Sequence, residues 1–144
     1  MTEIKTKPYI KRKFIACFID YSIIITTTFL FILNFGEPNS EGEIQLKGIL
    51  GLIPIIFWGI MTIGLELWFG ATLGNSIVGL KPISINGNPK ITFIQSFKRH
   101  FLDTFDMFMF GLIAYIIIKN TEKNQRLGDL WAKTMVIRIV EEKK

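Results

Sequence analysis

The sequence predicts an all-α membrane protein with two transmembrane helices, a third hydrophobic segment that is re-entrant or half-buried, and a small cytoplasmic β-hairpin or strand element. Three observations carry this reading. Hydrophobic residues make up 49% of the 144-residue chain and gather in blocks rather than in amphipathic stripes. Two blocks, Phe14 to Phe35 and Gly48 to Phe69, are long enough to span a bilayer, since about twenty residues at ~1.5 Å each cover a ~30 Å hydrocarbon core. Basic residues flank the blocks in a pattern that assigns each flank to a side of the membrane.

The first block reads FIACFIDYSIIITTTFLFILNF. It is too long and begins too late for the apolar core of a signal peptide, and no small-residue cleavage site follows it, so it is expected to remain in the mature protein. Asp20 sits inside it, where an ionisable group costs about 2.5 kcal/mol or more unless compensated. Lys13 precedes Asp20 by nearly two helical turns, so both lie on one face about 10 Å apart. Ala16 and Cys17 lie between them and are small enough to admit another helix. Arg12 points roughly 80° away from that face. Two roles stay open for Asp20: a structural partner that locks helices together, or the binding group of a transported ion or proton. Thr26, Thr27 and Thr28 can return their hydroxyls to carbonyls one turn back, serving either helix packing or a polar pathway.

In the second block Pro54 predicts a kink, and Gly51, Gly59 and Gly64 reduce bulk along the span. Glu66 lies about one turn from its end. It can snorkel, pair with a base, or act as second carboxylate of a cation site. Gly70-Ala71-Thr72-Leu73-Gly74 follows as the densest turn signal in the chain. No Gly-Lys-Ser/Thr ending follows, so this is not a phosphate loop.

The tail before Phe14 holds Lys5, Lys7, Lys11, Arg12 and Lys13 against Glu3. The polar connection Gly36 to Lys47 holds Glu37, Glu41 and Glu43 against Lys47. The second connection, Gly70 to His100, holds Lys81, Lys90, Lys98 and Arg99 without an acid. The bias toward basic residues inside therefore puts the N-terminus and the second connection in the cytoplasm.

The third block, Phe101 to Ile118, is shorter and carries Asp103 and Asp106. A full crossing there would place Lys119, Lys123, Arg126, Lys133, Arg138, Lys143 and Lys144 outside, against the same rule. The segment Thr134 to Val140 is β-branched and strand-like. Its expected mates are Lys81 to Ile85 and Lys90 to Phe93, joined as a hairpin by Asn86-Gly87-Asn88-Pro89. A strand cannot pair across a bilayer, so a C-terminus on the cytoplasmic side is expected. Arg99 lies four residues before Asp103, a spacing that predicts a local ion pair. Together with Asp106 and Arg126 this reads as ion-pairing at the interface. Residues 1–144 read as one domain.

Cys17 is the only cysteine and His100 the only histidine. His100 reads as a polar interfacial side chain, with a ligand role as the rival. No metal-ligand spacing, nucleophile–histidine pair or nucleotide fingerprint appears. No enzymatic activity, cofactor or metal is therefore expected. A net charge of +5 would suit nucleic acid or anionic lipid, but its placement beside apolar blocks points to topology. The expected partners are the lipid bilayer and either further copies of this chain or another membrane protein, with no nucleic acid.

Three stretches carry a resemblance. They are Lys11-Arg12-Lys13-Phe14-Ile15-Ala16-Cys17-Phe18-Ile19-Asp20; Glu66 with Gly70 to Gly74, Gly79-Leu80-Lys81, Asn86-Gly87 and Arg99; and Gln125-Arg126-Leu127-Gly128-Asp129-Leu130-Trp131 running on to Ile137. In order and spacing the chain resembles the RDD family, small bacterial membrane proteins named for an arginine and two aspartates. The resemblance implies a multi-pass protein of the bacterial inner membrane. It makes Asp20 and Asp129 the family acids and puts Lys13, with Arg12 one step earlier, at the place of the family arginine. Lysine keeps the charge there and loses the planar fork. Asn75 stands where a basic residue is usual, and Gly128 where histidine is usual. The resemblance implies transport, sodium/proton antiport having been attributed to some members.

Two functions follow as expectations. One is transport of a small cation, proton or sodium, with Asp20 as the binding or protonatable group and Glu66 as second ligand, in an oligomer. The other is a non-catalytic scaffold or accessory subunit whose buried charges hold helices together. Asp129 is expected to be structural, pairing with Arg126, Arg99 or Lys13.

Overall fold

The computed structural model describes residues 7–106 and 108–139. The expectations that involve Glu3, Lys5, Val140, Lys143 and Lys144 lie outside these residues.

Helix α1 spans Ile10–Phe35. It starts four residues before the predicted boundary, so the basic run Lys11-Arg12-Lys13 is helical. A second continuous helical path covers Gly48–Phe69. It comprises a 3₁₀ turn at Gly48–Leu52, α2 at Ile53–Gly59, a π-helical stretch at Ile60–Gly64 and α3 at Leu65–Phe69. Both paths are long and apolar enough to cross a membrane, and in their most apolar stretches only 17% and 11% of residues are buried. Such exposure excludes the core helix of a soluble protein, which buries its apolar face. The buried positions of α1 are Ala16, Asp20 and Ile24, a single stripe at four-residue spacing.

Pro54 does not kink the second path in its middle. It falls in the first turn of α2, where its missing N–H would have no intrahelical partner. The irregularity lies later, in the π-helical stretch, where Thr62 returns its hydroxyl to the Trp58 carbonyl at 2.7 Å. The first connection is also more ordered than expected. Its strands β1 (Glu37–Pro38) and β2 (Ile44–Gln45) pair antiparallel.

Beyond α3, Thr72 caps α4 (Leu73–Ile77) by accepting the Asn75 N–H. Gly74 presses on α1 so closely that an added Cβ would collide with the Ala16 carbonyl. The approach that Ala16 permits on α1 is thus taken up by a glycine. Strand β3 (Leu80–Ser84) follows and pairs antiparallel with β4 (Thr134–Arg138), Leu80 opposite Arg138 and Ser84 opposite Thr134. Backbone bonds Ile139→Gly79 and Ile85→Lys133 bracket the ladder. They place the odd-numbered residues of β3 in bonding register, so the missing N–H of Pro82 faces away from β4. Leu80, Val136, Val78 and Ala16 form the apolar core under this sheet.

The expected hairpin does not form. Lys90 to Phe93 is no strand, because Thr92 starts α5 (Phe93–Phe101) through a capping box. Gln95 accepts the Thr92 N–H at 3.1 Å while Thr92 accepts that of Gln95 at 3.3 Å. The Gln95 amide also donates to Ser84 Oγ at 2.8 Å and to the Ala132 carbonyl at 3.1 Å, tying the start of α5 to the sheet. The capping pattern Thr-x-x-Gln was present in the sequence and outweighs the β propensity around it.

The third hydrophobic segment is broken. Between α5 and α6 (Asp103–Asp106) the helix is interrupted at Leu102, and α7 (Phe108–Asn120) is bent at Gly111, where φ is 80°. The 13 residues of α7 reach about 20 Å, well short of a hydrocarbon core. Helix α8 (Leu127–Ala132) crosses α5 at Gly128, where an added Cβ would collide with the Arg99 carbonyl. That crossing supplies a steric reason for glycine at this position.

Helix α5 is inside out. It buries Gln95, Ser96, Arg99 and His100, and exposes Phe93, Ile94, Phe97 and Phe101.

Replacing Gly74 by alanine should force α4 off α1. We expect a loss of about 1–3 kcal/mol, read as a lower Tm of the purified protein in detergent; an unchanged Tm would mean that the α1–α4 contact is slack.

Candidate functional site

The buried polar faces of α1, the second helical path, α5, α6 and α8 converge on one charged cluster. Arg99 is at its centre and only 1% exposed. Its Nε donates to Glu66 Oε1 at 3.1 Å, and its Nη1 donates to Asp129 Oδ1 and, at 3.1 Å, to Thr134 Oγ1. One guanidinium therefore joins the end of the second path, α8 and β4.

His100 continues the chain of contacts. Its Nδ1 lies 2.8 Å from Asp103 Oδ2 and its Nε2 3.2 Å from Glu66 Oε2. Only the doubly protonated ring can donate to both carboxylates. Burial would lower the pKa of His100, but Asp103 and Glu66 more than offset it and raise the pKa to about 9. Asp103 also accepts from the Tyr21 hydroxyl at 2.8 Å and pairs with Arg126 Nη1 at 2.7 Å.

Asp106 caps the start of α8, accepting the N–H groups of Leu127 at 3.0 Å and Gly128 at 3.1 Å. Arg126 Nε lies 3.8 Å from both Asp106 and Asp129. Asp129 in turn accepts the Arg126 backbone N–H at 3.2 Å.

The local Arg99–Asp103 pair expected from spacing is not made. Arg99 turns toward Glu66 and Asp129, the helix breaks at Leu102, and Asp103 takes His100, Arg126 and Tyr21 instead. Arg99, Asp103 and Asp106 are almost fully buried.

Asp20 is placed differently. It is 5% exposed. Its Oδ1 accepts the Gly74 N–H at 2.7 Å, and the Thr72 hydroxyl hydrogen-bonds to it as well. Both partners are neutral, and among the described residues no cation lies within ion-pair distance of Asp20. Beside it is a polar cavity of about 40 Å³, lined by Lys13, Asp20, Tyr21, Thr72, Arg99 and Asp129 among others. That volume holds a few water molecules.

Lys13, Asp20 and Asp129 thus face one space although 109 residues of sequence separate Asp20 from Asp129. Lys13 donates to the Asn124 carbonyl at 2.6 Å. Arg12 turns away and donates to the Val78 carbonyl. Of the two, Lys13 occupies the cavity position. Glu66 has both oxygens engaged, by Arg99 and His100. The threonines Thr26 and Thr27 lie on the exposed face of α1, away from the cluster.

Sequence reasoning passed over Tyr21, placed Thr72 only in the turn after Glu66, and missed the roles of Thr72 beside Asp20 and of His100 between two carboxylates. The signal available was limited to the position of Thr72 three residues before Asn75, a capping spacing. Among the described residues no group of three or more histidine, cysteine, aspartate or glutamate side chains could hold a metal ion.

The protonated ring of His100 ties stability to pH. Its folded-state pKa lies above the ordinary value of 6.5, so its contribution is complete below that value and is lost as pH rises through about 9. The groups facing it are Glu66 from the second path, Asp103 from α6 and neighbouring Arg99. We expect the Tm in detergent to fall across this window by the equivalent of a few kcal/mol, and His100→Gln to flatten that fall; equal slopes would show an uncharged His100.

No curated protein and no solved structure matches the chain. The profile of the RDD family does, over residues 7–133. That span runs from before α1 to the end of α8 and takes in Lys13, Asp20, Glu66, Arg99 and Asp129. With two helices long and apolar enough for a bilayer and a match over most of its length, the chain belongs to the RDD family.

Proposed function

We propose that this protein moves a small cation, proton or sodium, across the inner membrane, with Asp20 as the exchanging carboxylate. The observation that carries the reading is that Asp20 makes no direct ion pair among the described residues, the charge of His100 acting on it only from beyond salt-bridge distance. Glu66, Asp103, Asp106 and Asp129 each lie within ion-pair distance of Arg99, Arg126 or His100. A carboxylate clamped in this way cannot release its partner without leaving a buried charge. Asp20 is held by neutral donors only and borders a cavity that admits water, so it can gain and lose a cation without breaking an ion pair.

Charge balance supports the same role. The buried carboxylates Asp20, Glu66, Asp103, Asp106 and Asp129 are five. The cations among them are Lys13, Arg99, protonated His100 and Arg126, one fewer. A single proton or monovalent cation at Asp20 makes the cluster neutral. Because Glu66 is saturated by Arg99 and His100, its role becomes structural, and the accessible oxygen ligands are those of Asp20 and Thr72.

The proposed topology has two crossings with both termini in the cytoplasm. The pairing of β3 with β4 supports it, because two hydrogen-bonded strands share one side of the bilayer and the segment between them must return. The shortness of α7 and the outward aromatic face of α5 favour a half-buried segment. Two crossings make a thin wall for a pathway, so we assign an oligomer. The alternative of a scaffold draws on the dense pairing around Arg99 and Arg126.

Ion flux in proteoliposomes separates the two. Under imposed sodium and proton gradients, a pH-sensitive dye should report sodium-dependent proton movement that Asp20→Asn abolishes while the variant stays folded. A folded, inserted wild type with no flux above empty liposomes would reject transport of these ions; a variant that unfolds would favour the scaffold. For topology, a cysteine at Lys143 in a Cys17→Ser background should be inaccessible to an impermeant maleimide in intact cells. Labelling from outside would overturn the two-crossing arrangement.

A further inference from the structure

Along one side of α1 runs a groove that is separate from the small cavity at Asp20 but shares Lys13, Cys17 and Arg126 with its lining. It separates α1 from α7 and has a volume of about 440 Å³, with a wall that is mostly apolar: Phe14, Phe18, Ala114 and Ile118. A second cavity of about 530 Å³ adjoins it across Ile10, Phe14, Gly111 and Tyr115, with Lys11 on its rim. These volumes are in the ~300–1,000 Å³ range of small-molecule sites. The bend at Gly111, where φ is 80°, faces the groove.

The two ends differ in chemistry. One end carries Lys11 and Lys13, and between Lys7 and Ile19 the chain has four basic residues and no acid. Lys13 reaches a carbonyl rather than a carboxylate, and among the described residues Lys11 makes no ion pair. Asp106 and Arg126 also touch the groove. The carboxylate of Asp106 is taken by the N–H groups of α8, and Arg126 by Asp103, leaving no exposed negative charge to oppose an anion.

We propose that the α1–α7 groove binds an anionic phospholipid of the surrounding leaflet, its acyl chain along Phe14 and Phe18 and its headgroup at Lys11 and Lys13. An apolar body with one anionic end is the chemistry that this lining matches: burial of an alkyl chain on one side, charge-assisted bonds from lysine on the other. Of the lysines beside the second path, Lys47 is already paired with Glu37, and Lys81 packs against Gly70 beyond the end of α3.

The test uses the full chain, delipidated in detergent and titrated with phosphatidylglycerol or phosphatidylcholine under native mass spectrometry. Wild type should retain phosphatidylglycerol about tenfold more tightly than phosphatidylcholine. The pair Lys11→Gln and Lys13→Gln should bring the two lipids level. Because Lys13 also borders the cation cavity, Ala114→Phe serves as the second variant, filling the groove from α7 and lowering retention of both lipids. Equal retention of the two lipids by wild type, no retention of either, or a preference that survives both the lysine and the Ala114 changes would overturn the site.

Discussion

The Arg99 guanidinium is the interaction on which the rest of the fold depends. It sits on a helix whose buried face is polar, and it reaches Glu66 at the end of the second apolar path, Asp129 on α8 and Thr134 on β4. Each of those elements is short or irregular alone. Helix α3 has five residues and α8 has six, well below the length at which an isolated helix persists in water. Removing one member of such a buried set leaves an uncompensated charge, a loss of about 3–5 kcal/mol. Arginine suits the place because its planar fork addresses several acceptors at fixed angles, which an ammonium group does not.

Around that centre the usual distribution of polarity is inverted. The interior holds aspartates, glutamate, arginines and histidine, whereas large aromatic and aliphatic side chains face outward along α1, the second path and α5. In water this would be a loss on both counts. In a bilayer both become gains, because outward apolar groups meet hydrocarbon and inward charges find partners they would otherwise lack. The same inversion explains why the apolar cluster beneath the sheet is small, comprising Ala16, Val78, Leu80 and Val136 among the described residues. Much of the remaining cohesion comes from hydrogen bonds and ion pairs, with close approaches at Gly74 and Gly128.

What could be read from the sequence divides along physical lines. Both long apolar blocks were legible, because length and apolarity are local properties that a bilayer tests directly. The strand at Thr134 to Arg138 was legible from β-branching, and its pairing with the Lys81 region was the right neighbourhood. The second arm of the hairpin was not, since Thr92 and Gln95 cap a helix through an exchange of hydrogen bonds that propensity does not weigh. Asp20 stood out because a charge in hydrocarbon is conspicuous anywhere. Its partners did not, because Gly74 contributes a backbone N–H and leaves no side-chain signature. The partners of Arg99 were obscured for another reason: the Arg99–Asp103 spacing offered a local pair, and only the break at Leu102 and the packing of α8 redirect both charges.

Asp20 and Asp129, which the resemblance puts at the places of the family acids, have diverging surroundings. Asp129 is locked by a guanidinium and the backbone of its own helix start. Asp20 is held by two neutral donors at the edge of a small cavity. The difference follows from which element each carboxylate meets. Asp129 faces α5 at the place where its one arginine is buried, whereas Asp20 faces the start of α4, where Gly74 has no side chain to offer. The close approach that excludes a Cβ at Gly74 is thus also what brings a neutral backbone donor to Asp20. On the proposed reading, packing and chemistry are one constraint: the small residues that let α4 touch α1 are what leave one acid of the cluster open to exchange.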